Sequence, residues 1–205
     1  MAKLILDDKW LDVDFPNQPE YVFGDAGVSA FDPLYSTVYE ETETVMSQNE
    51  LREAAERQDE RGGAEELVSR IYDQGREGSC VANASCQAHE MTQAKTYGPE
   101  HVCHLSAISL YKQIGRSPQS GATISGGLKG LSESGALPLD NEANRAKFGN
   151  QVMPNTGWST RYPDGWKKTA KNFQCLETHV VRSVEGLLTA LMRQHPVVVG
   201  RQGHS

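Results

Sequence analysis

The sequence is short of positive charge and of long apolar runs, and both shortages exclude classes of function. Its 20 Lys and Arg are outnumbered by 27 Asp and Glu, so the formal net charge is -7 at pH 7. Nucleic-acid binding needs clustered basic side chains, and we therefore expect no such partner. No stretch approaches the roughly 18 to 20 apolar residues that cross a membrane, and no signal peptide is visible. We expect a cytoplasmic or otherwise intracellular protein.

Cysteine is also scarce, with four thiols in 205 residues. So few cysteines over this length do not form a disulfide framework, which agrees with a reducing compartment. Several His and Cys residues lie between positions 80 and 104, but their separations do not match the paired spacing of two to four residues in structural zinc sites. We predict no metal and no cofactor.

The longest predicted helix begins at Cys80. Ser79 is a suitable N-cap, and Gly98 followed by Pro99 supplies a stop. The helix is rich in Ala and Ser, whose small side chains allow other elements to approach closely. We therefore expect it to lie in the interior of a domain.

Other segments are predicted from apolar periodicity and from turn residues. The chain has the length for one or two domains. The segments are a charged helical run in 47–70 broken at Gly62 and Gly63, helices at 105–114 and 124–134, mostly loop at 136–175, a helix after Ser183 broken by Pro196, and a strand at 197–199 buried on both faces.

The segment DQGREGSCVANA, residues 73–84, has the residues that thiol catalysis needs. A thiol is mostly protonated at neutral pH, and a helix N-terminus lowers its pKa through unpaired N–H groups and the helix dipole. Cys80 takes that position. Gly78 and Ser79 form a turn in which the backbone can approach a substrate, and the Cys80 N–H can face an oxyanion. Gln74 adds a side-chain amide donor.

At these residues the sequence resembles the active-site segment of papain-like (C1 family) cysteine peptidases, particularly the bacterial and phage-type members. Three further segments are similar to the family in the same order. They are LSAISLYKQIGR after the nucleophile helix, SGATISGGLKGLSESGALP as the glycine-containing substrate loop with the next helix, and HPVVVGRQGHS as a strand followed by the catalytic His. The matching segments cover a little under half of the chain.

The resemblance implies an α+β fold, papain-like, with a helical left half and an incomplete antiparallel β-barrel as the right half. Residues 66–140 then form the helical half with the nucleophile helix, and residues 141–205 form part of the barrel. Residues 1–65 are an N-terminal extension or a pro-segment-like region. The implied substrate is a peptide or protein.

The resemblance also implies roles for single residues. Cys80 is the nucleophile, His204 the general base, and Gln74 the side-chain donor of the oxyanion hole. Gly121 corresponds to the loop residue that pairs with the extended substrate backbone, and Gly78 and Ser79 complete the substrate-binding set. The separation of Cys80 and His204 is close to the roughly 130 to 150 residues typical of the family.

The sequence departs from the family pattern at three places. Glu77 replaces the extra Cys before the nucleophile, and Val81 replaces the aromatic residue after it. The sequence ends one residue after His204, so the Asn that orients the imidazole has no counterpart, and we expect a chain truncated in its barrel half. Two alternatives follow: a catalytically impaired papain-like binding or virion protein, and a Cys-His amidase that cuts cell-wall peptides.

Other His and Cys residues are weaker candidates for catalysis. His195 precedes Pro196 at a helix–strand junction, and His179 lies in an alternating segment typical of a strand. His204 itself has a second interpretation, as an ordinary surface residue near a chain end. The remaining cysteines are interpreted as core residues: Cys86, Cys103 and Cys175.

Overall fold

The computed structural model describes residues 37–200 together with the backbone of two earlier strands. These strands, Ala2–Leu6 (β1) and Lys9–Val13 (β2), form an antiparallel pair with Ala2 opposite Val13. Thr37–Val38 (β3) and His179–Val180 (β4) form a short parallel pair. The α-helices of the described residues are Tyr39–Thr42 (α1), Gln48–Arg61 (α2), Cys80–Tyr97 (α3), Ala107–Ile114 (α4), Ile124–Glu133 (α5), Glu142–Phe148 (α6), Trp166–Ala170 (α7) and Val184–Met192 (α8).

The predicted helices are present with bounds close to those expected. Helix α3 begins at Cys80 and ends before Gly98, as the sequence predicts, although the Ser79 side chain makes no capping hydrogen bond. The other starts follow from hydrogen bonds in which a side-chain oxygen at the N-cap accepts a backbone N–H three residues later. Thr123 does this for α5 and Ser183 for α8.

The region 136–175 is mostly loop, as expected, but it also contains two short helices, α6 and α7. Asn141 caps α6 by accepting the N–H of Asn144 at 2.8 Å, and α7 follows Gly165, which has a left-handed backbone. Each helix has seven residues or fewer. Such short elements carry less than two full turns of apolar periodicity, so pattern alone did not reveal them.

The predicted strand at 197–199 is wrong for the described structure. These residues have no strand assignment, and Val199 is 75% exposed instead of buried on both faces. A strand exists only where a neighbouring strand accepts and donates its backbone hydrogen bonds. Within residues 37–200, the only paired strands are β3 and β4, so the apolar run has no described partner. The barrel half therefore stays a prediction.

Helix α3 lies at the centre of the core and packs against α4 and α5. Ala82 and Cys86 on α3 are fully buried. The approach of α5 is close because it carries glycines where it faces its neighbours: a Cβ at Gly127 would lie 2.5 Å from Val81 Cγ1, and one at Gly130 would lie 2.5 Å from Ile114 Cγ2. The small-residue composition of these helices is thus explained by their packing.

A buried carboxylate connects α3 to the segments on either side of it. Glu90 accepts hydrogen bonds from the Tyr72 hydroxyl at 2.5 Å and from the Leu105 N–H at 2.7 Å. His104 Nδ1 lies 3.0 Å from the same carboxylate, and Arg70 Nε lies 3.7 Å away. A charged group is tolerated in an interior only with such partners. The network holds the chain just before Gln74 against the middle of α3.

Residues 37–61 pack against the last described helix. Helix α2 contacts α8, and the Glu40 carboxylate accepts the N–H groups of Arg182 and Ser183 at 2.9 and 2.8 Å. These contacts connect the two ends of the described range. None of the described helices combines the length and the hydrophobicity that a bilayer span requires.

The close packing of α5 gives a testable prediction. Changing Gly127→Ala adds a methyl group where Val81 and Ser85 leave no room, and this overpacking outweighs the higher helix propensity of Ala. We expect the free energy of unfolding, measured by urea denaturation with circular dichroism, to fall by about 1 to 2 kcal/mol. Lys129→Ala on the same helix is the control, with a change below about 0.5 kcal/mol. Unchanged stability of Gly127→Ala would contradict the packing.

Candidate active site

Cys80 is the first residue of α3 and is partly exposed, whereas Ser79 before it is fully buried. The first turn is stabilised by a side chain inside the helix. Asn83 Nδ2 donates to the Ser79 carbonyl at 2.8 Å and lies 3.0 Å from the Ser79 hydroxyl. Asn155 Nδ2 in turn donates to Asn83 Oδ1 at 3.2 Å. Two amide side chains therefore fix the helix start that presents the thiol.

Residues 73–79, here called the nucleophile turn, contain Gln74 and lead directly into the start of α3. The Asp73 carboxylate accepts the Gly75 N–H at 2.8 Å, and Gly75 has φ +62°, a conformation that glycine adopts without strain. Asn155 Nδ2 also donates to the Asp73 carbonyl, at 2.7 Å. Gln74 is partly exposed, like Cys80. Gln74 in the turn and Cys80 directly after it therefore both reach the surface, while side chains hold the backbone between them.

Gly78 and Gly121 lie against each other. The Gly78 N–H donates to the Pro118 carbonyl at 2.7 Å, and a Cβ at Gly78 would lie 3.1 Å from the Gly121 nitrogen. Gly121 has φ +67° and donates its N–H to the Tyr111 hydroxyl at 3.0 Å. The structure thus brings together two of the predicted substrate-binding residues. Their role in binding stays a prediction.

Glu77 connects the nucleophile turn to loop 155–160 on its other side. Its carboxylate accepts the Trp158 N–H at 2.6 Å and the Gly157 N–H at 3.1 Å. The Trp158 ring packs edge-on against Tyr111, with 5.2 Å between ring centroids. This residue replaces the family's additional Cys in the sequence, and sequence reasoning gave it no role. Nothing local signals a partner 80 positions away.

His204, the predicted general base, lies outside the described residues, so its role stays a prediction. The rival imidazoles have partners elsewhere. His195 Nδ1 lies 3.2 Å from the Tyr39 hydroxyl, and His179 Nδ1 lies 2.8 Å from the Thr37 hydroxyl. Burial lowers the pKa of His195 and of His89 from their ordinary value.

The other three thiols are held in the neutral form. Cys86 is fully buried in the core, and burial raises its pKa far above the ordinary value. Burial also raises the pKa of Cys103 to about 12, and that of Cys175 above its usual range. Cys103 and Cys175 are only partly buried, so the prediction of core positions is confirmed for Cys86 and too strong for the other two. All four cysteines are outside disulfides.

The described residues offer little support for two other kinds of site. No group of three or more His, Cys, Asp or Glu in residues 37–200 is arranged to hold a metal ion. A cleft of about 710 Å³ lies by the far end of α3 from Cys80. Its charged side chains have partners within the protein. Lys95 donates to the Arg193 backbone carbonyl at 2.6 Å, and the Arg193 guanidinium pairs with the Glu43 carboxylate at 2.9 Å. The cleft is therefore a poor candidate for the active site.

Comparison with known proteins identifies a structure with a similar fold. No protein-family model matches the sequence, and no curated protein matches it. The structure is similar to the crystal structure of xylellain, a cysteine protease from Xylella fastidiosa, with a TM-score of 0.55 and 19% identity. The chain shares its fold with a bacterial cysteine protease. The match covers 88% of this chain and 66% of the xylellain chain, so the chain spans about two thirds of that structure. The α+β class is supported, and membership of the C1 family stays a prediction.

The burial of the other thiols predicts selective modification. In the native protein at pH 7.5, iodoacetamide should leave Cys86 unmodified and react only slowly with Cys103, because burial raises the pKa of both thiols and Cys86 is also fully enclosed. In 6 M guanidinium chloride all four cysteines should react. Peptide mapping by mass spectrometry measures both. Rapid native labelling of Cys86 would contradict the described core.

Proposed function

We propose that this chain is a cysteine endopeptidase that hydrolyses peptide bonds through a thioester on Cys80. The observation that carries the proposal is the position of Cys80: partly exposed, at the first residue of an 18-residue interior helix, and joined to Gln74 by a fixed turn. The first N–H groups of a helix have no partners within it and stabilise an anion. A thiolate at this position is the form that attacks a carbonyl carbon.

The proposed reaction uses residues of the chain alone. The Cys80 sulfur forms a bond to the carbonyl carbon of the substrate, and the resulting oxyanion accepts hydrogen bonds from the Cys80 N–H and the Gln74 side chain. His204 gives a proton to the leaving amine as the C–N bond breaks. Water then attacks the thioester, which releases the new carboxylate and returns the thiol.

The substrate in this proposal is a peptide or protein in extended conformation. Gly78 in the nucleophile turn packs directly against the backbone at Gly121. A Cβ at Gly78 would crowd this neighbouring loop. Both glycines are buried, so the close approach of backbone that they permit is between these two loops, and the pairing of substrate backbone with Gly121 rests on the family resemblance. The shared fold with a bacterial cysteine protease supports this substrate class, and the Cys-His amidase of cell-wall peptides is the alternative that substrate profiling separates.

Substitutions in the nucleophile turn test the proposal. Cys80→Ala should abolish hydrolysis of a fluorogenic protein substrate, because no other thiol lies at a helix start. Gln74→Ala should lower kcat by about 10² to 10³-fold through loss of one oxyanion donor. Cys175→Ser, at a partly buried thiol away from the nucleophile turn, is the matched control and should keep the wild-type rate.

The reactivity of the thiol gives a second readout of the same prediction. At pH 6.5 a free thiol with a pKa of about 8.5 is about 1% thiolate. Wild-type Cys80 should react with iodoacetamide at least about tenfold faster than free cysteine at this pH. A rate equal to that of free cysteine, together with unchanged hydrolysis in Cys80→Ala, would refute the proposal.

A further inference from the structure

The nucleophile turn is held from both sides immediately before Cys80. On one side Gly78 donates its N–H to the Pro118 carbonyl at 2.7 Å. On the other side the Glu77 carboxylate accepts two backbone N–H groups of loop 155–160, from Gly157 and Trp158. Adjacent residues of the turn thus bind two different loops. The position of the turn depends on both contacts.

The two loops are themselves connected through Tyr111. The Tyr111 ring packs edge-on against Trp158, and its hydroxyl donates to the Ser117 carbonyl at 2.8 Å and accepts the Gly121 N–H at 3.0 Å. Contacts therefore run from Glu77 through loop 155–160 and Tyr111 to the loop that binds Gly78. Removing the carboxylate opens this ring of contacts at the point nearest Cys80.

Two side chains of opposite charge, Glu77 and Lys112, bind the backbone of loop 155–160 at different points. The Glu77 carboxylate takes N–H groups at 157 and 158, and the Lys112 ammonium donates to the Thr160 carbonyl. Attraction from Glu77 acts on Lys112 and opposes the larger effect of burial, which lowers the pKa of the lysine. Gly157 has φ +103°, a left-handed conformation that favours glycine, at the residue whose N–H faces the carboxylate.

We propose that Glu77 is a positioning residue that fixes the nucleophile turn through loop 155–160, an inference that rests on the proposed function of Cys80. A carboxylate only accepts hydrogen bonds, so both N–H groups have a partner at once. A charged acceptor also binds them more strongly than a neutral one.

Two variants of Glu77 separate the charge from the side chain's size. Glu77→Gln keeps one acceptor oxygen but turns an NH₂ group toward backbone donors, whereas Glu77→Ala removes every acceptor. Glu66→Gln is the control, since Glu66 is exposed and loses the same charge. Folding of each variant is checked by circular dichroism at 20 °C, well below its thermal midpoint.

The first readout is amide hydrogen exchange at Gly157 and Trp158. In Glu77→Ala both amides should exchange at least about tenfold faster, because a hydrogen bond to a charged group contributes enough free energy for such a change. Glu77→Gln should lie between Glu77→Ala and the wild type, and Glu66→Gln should match the wild type. Unchanged exchange in Glu77→Ala would overturn the proposal, since the carboxylate would then not hold the loop.

The second readout is the rate of Cys80 alkylation by iodoacetamide at pH 6.5, with kcat and KM measured alongside. A positioning role predicts that the alkylation rate and kcat of folded Glu77→Ala fall about 10- to 100-fold while KM changes less than about threefold. A residue that only stabilises the fold would lower the thermal midpoint and leave these rates unchanged, which would overturn the proposal.

The two hypotheses fail in different ways. If wild-type Cys80 reacts no faster than free cysteine and Cys80→Ala hydrolyses the substrate as fast as the wild type, the proposed function fails and the role of Glu77 in it fails as well. If wild-type Cys80 reacts fast and Glu77→Ala reacts equally fast, the proposed function stands and the positioning role of Glu77 is wrong.

Discussion

The fixed start of α3 is the constraint on which the rest of the candidate site depends. The first N–H groups of a helix have no partners within the helix. A helix start that reaches the surface therefore frays unless other groups hold its first turn. Here Ser79 is fully buried directly before Cys80, and Asn83 donates back to it from the next turn. The thiol therefore sits at the junction of a rigid interior and an accessible surface. Neither a fully buried helix start nor a frayed one would place a sulfur in this way.

Both apolar packing and polar contacts hold α3 in place. Close approach of α5 requires Gly127, and the buried Glu90 connects the middle of α3 to Tyr72 and Leu105. A buried polar group costs free energy unless it is paired, and the Glu90 carboxylate has partners on separate segments. These contacts also hold Tyr72, which lies two residues before Gln74, against α3. Core stability and the geometry of the site are thus produced by the same contacts.

Local signals in the sequence account for what could be predicted. Ser79, Gly98 and the small residues between them define α3 within the chain itself, so its bounds follow from the sequence alone. Contacts between distant segments could not be predicted in this way. The Glu77 carboxylate meets Trp158, and Asn155 meets Asn83, across more than seventy positions with no pattern to signal either pair. The strand predicted at 197–199 failed for the same reason, since a strand is defined by a partner that lies elsewhere in the chain. The structure shares its fold with a bacterial cysteine protease, and the division into a helical half and a barrel half stays a prediction.

A crystal structure of the protein treated with a peptide aldehyde tests the central claim most directly, because such an aldehyde imitates the tetrahedral intermediate when a thiolate adds to it. The account predicts a covalent bond between Cys80 Sγ and the aldehyde carbon, with the new oxygen about 2.7 to 3.1 Å from the Gln74 side-chain amide and the Cys80 nitrogen. An aldehyde bound to a different side chain, or a Cys80 adduct whose oxygen points away from Gln74, would contradict it.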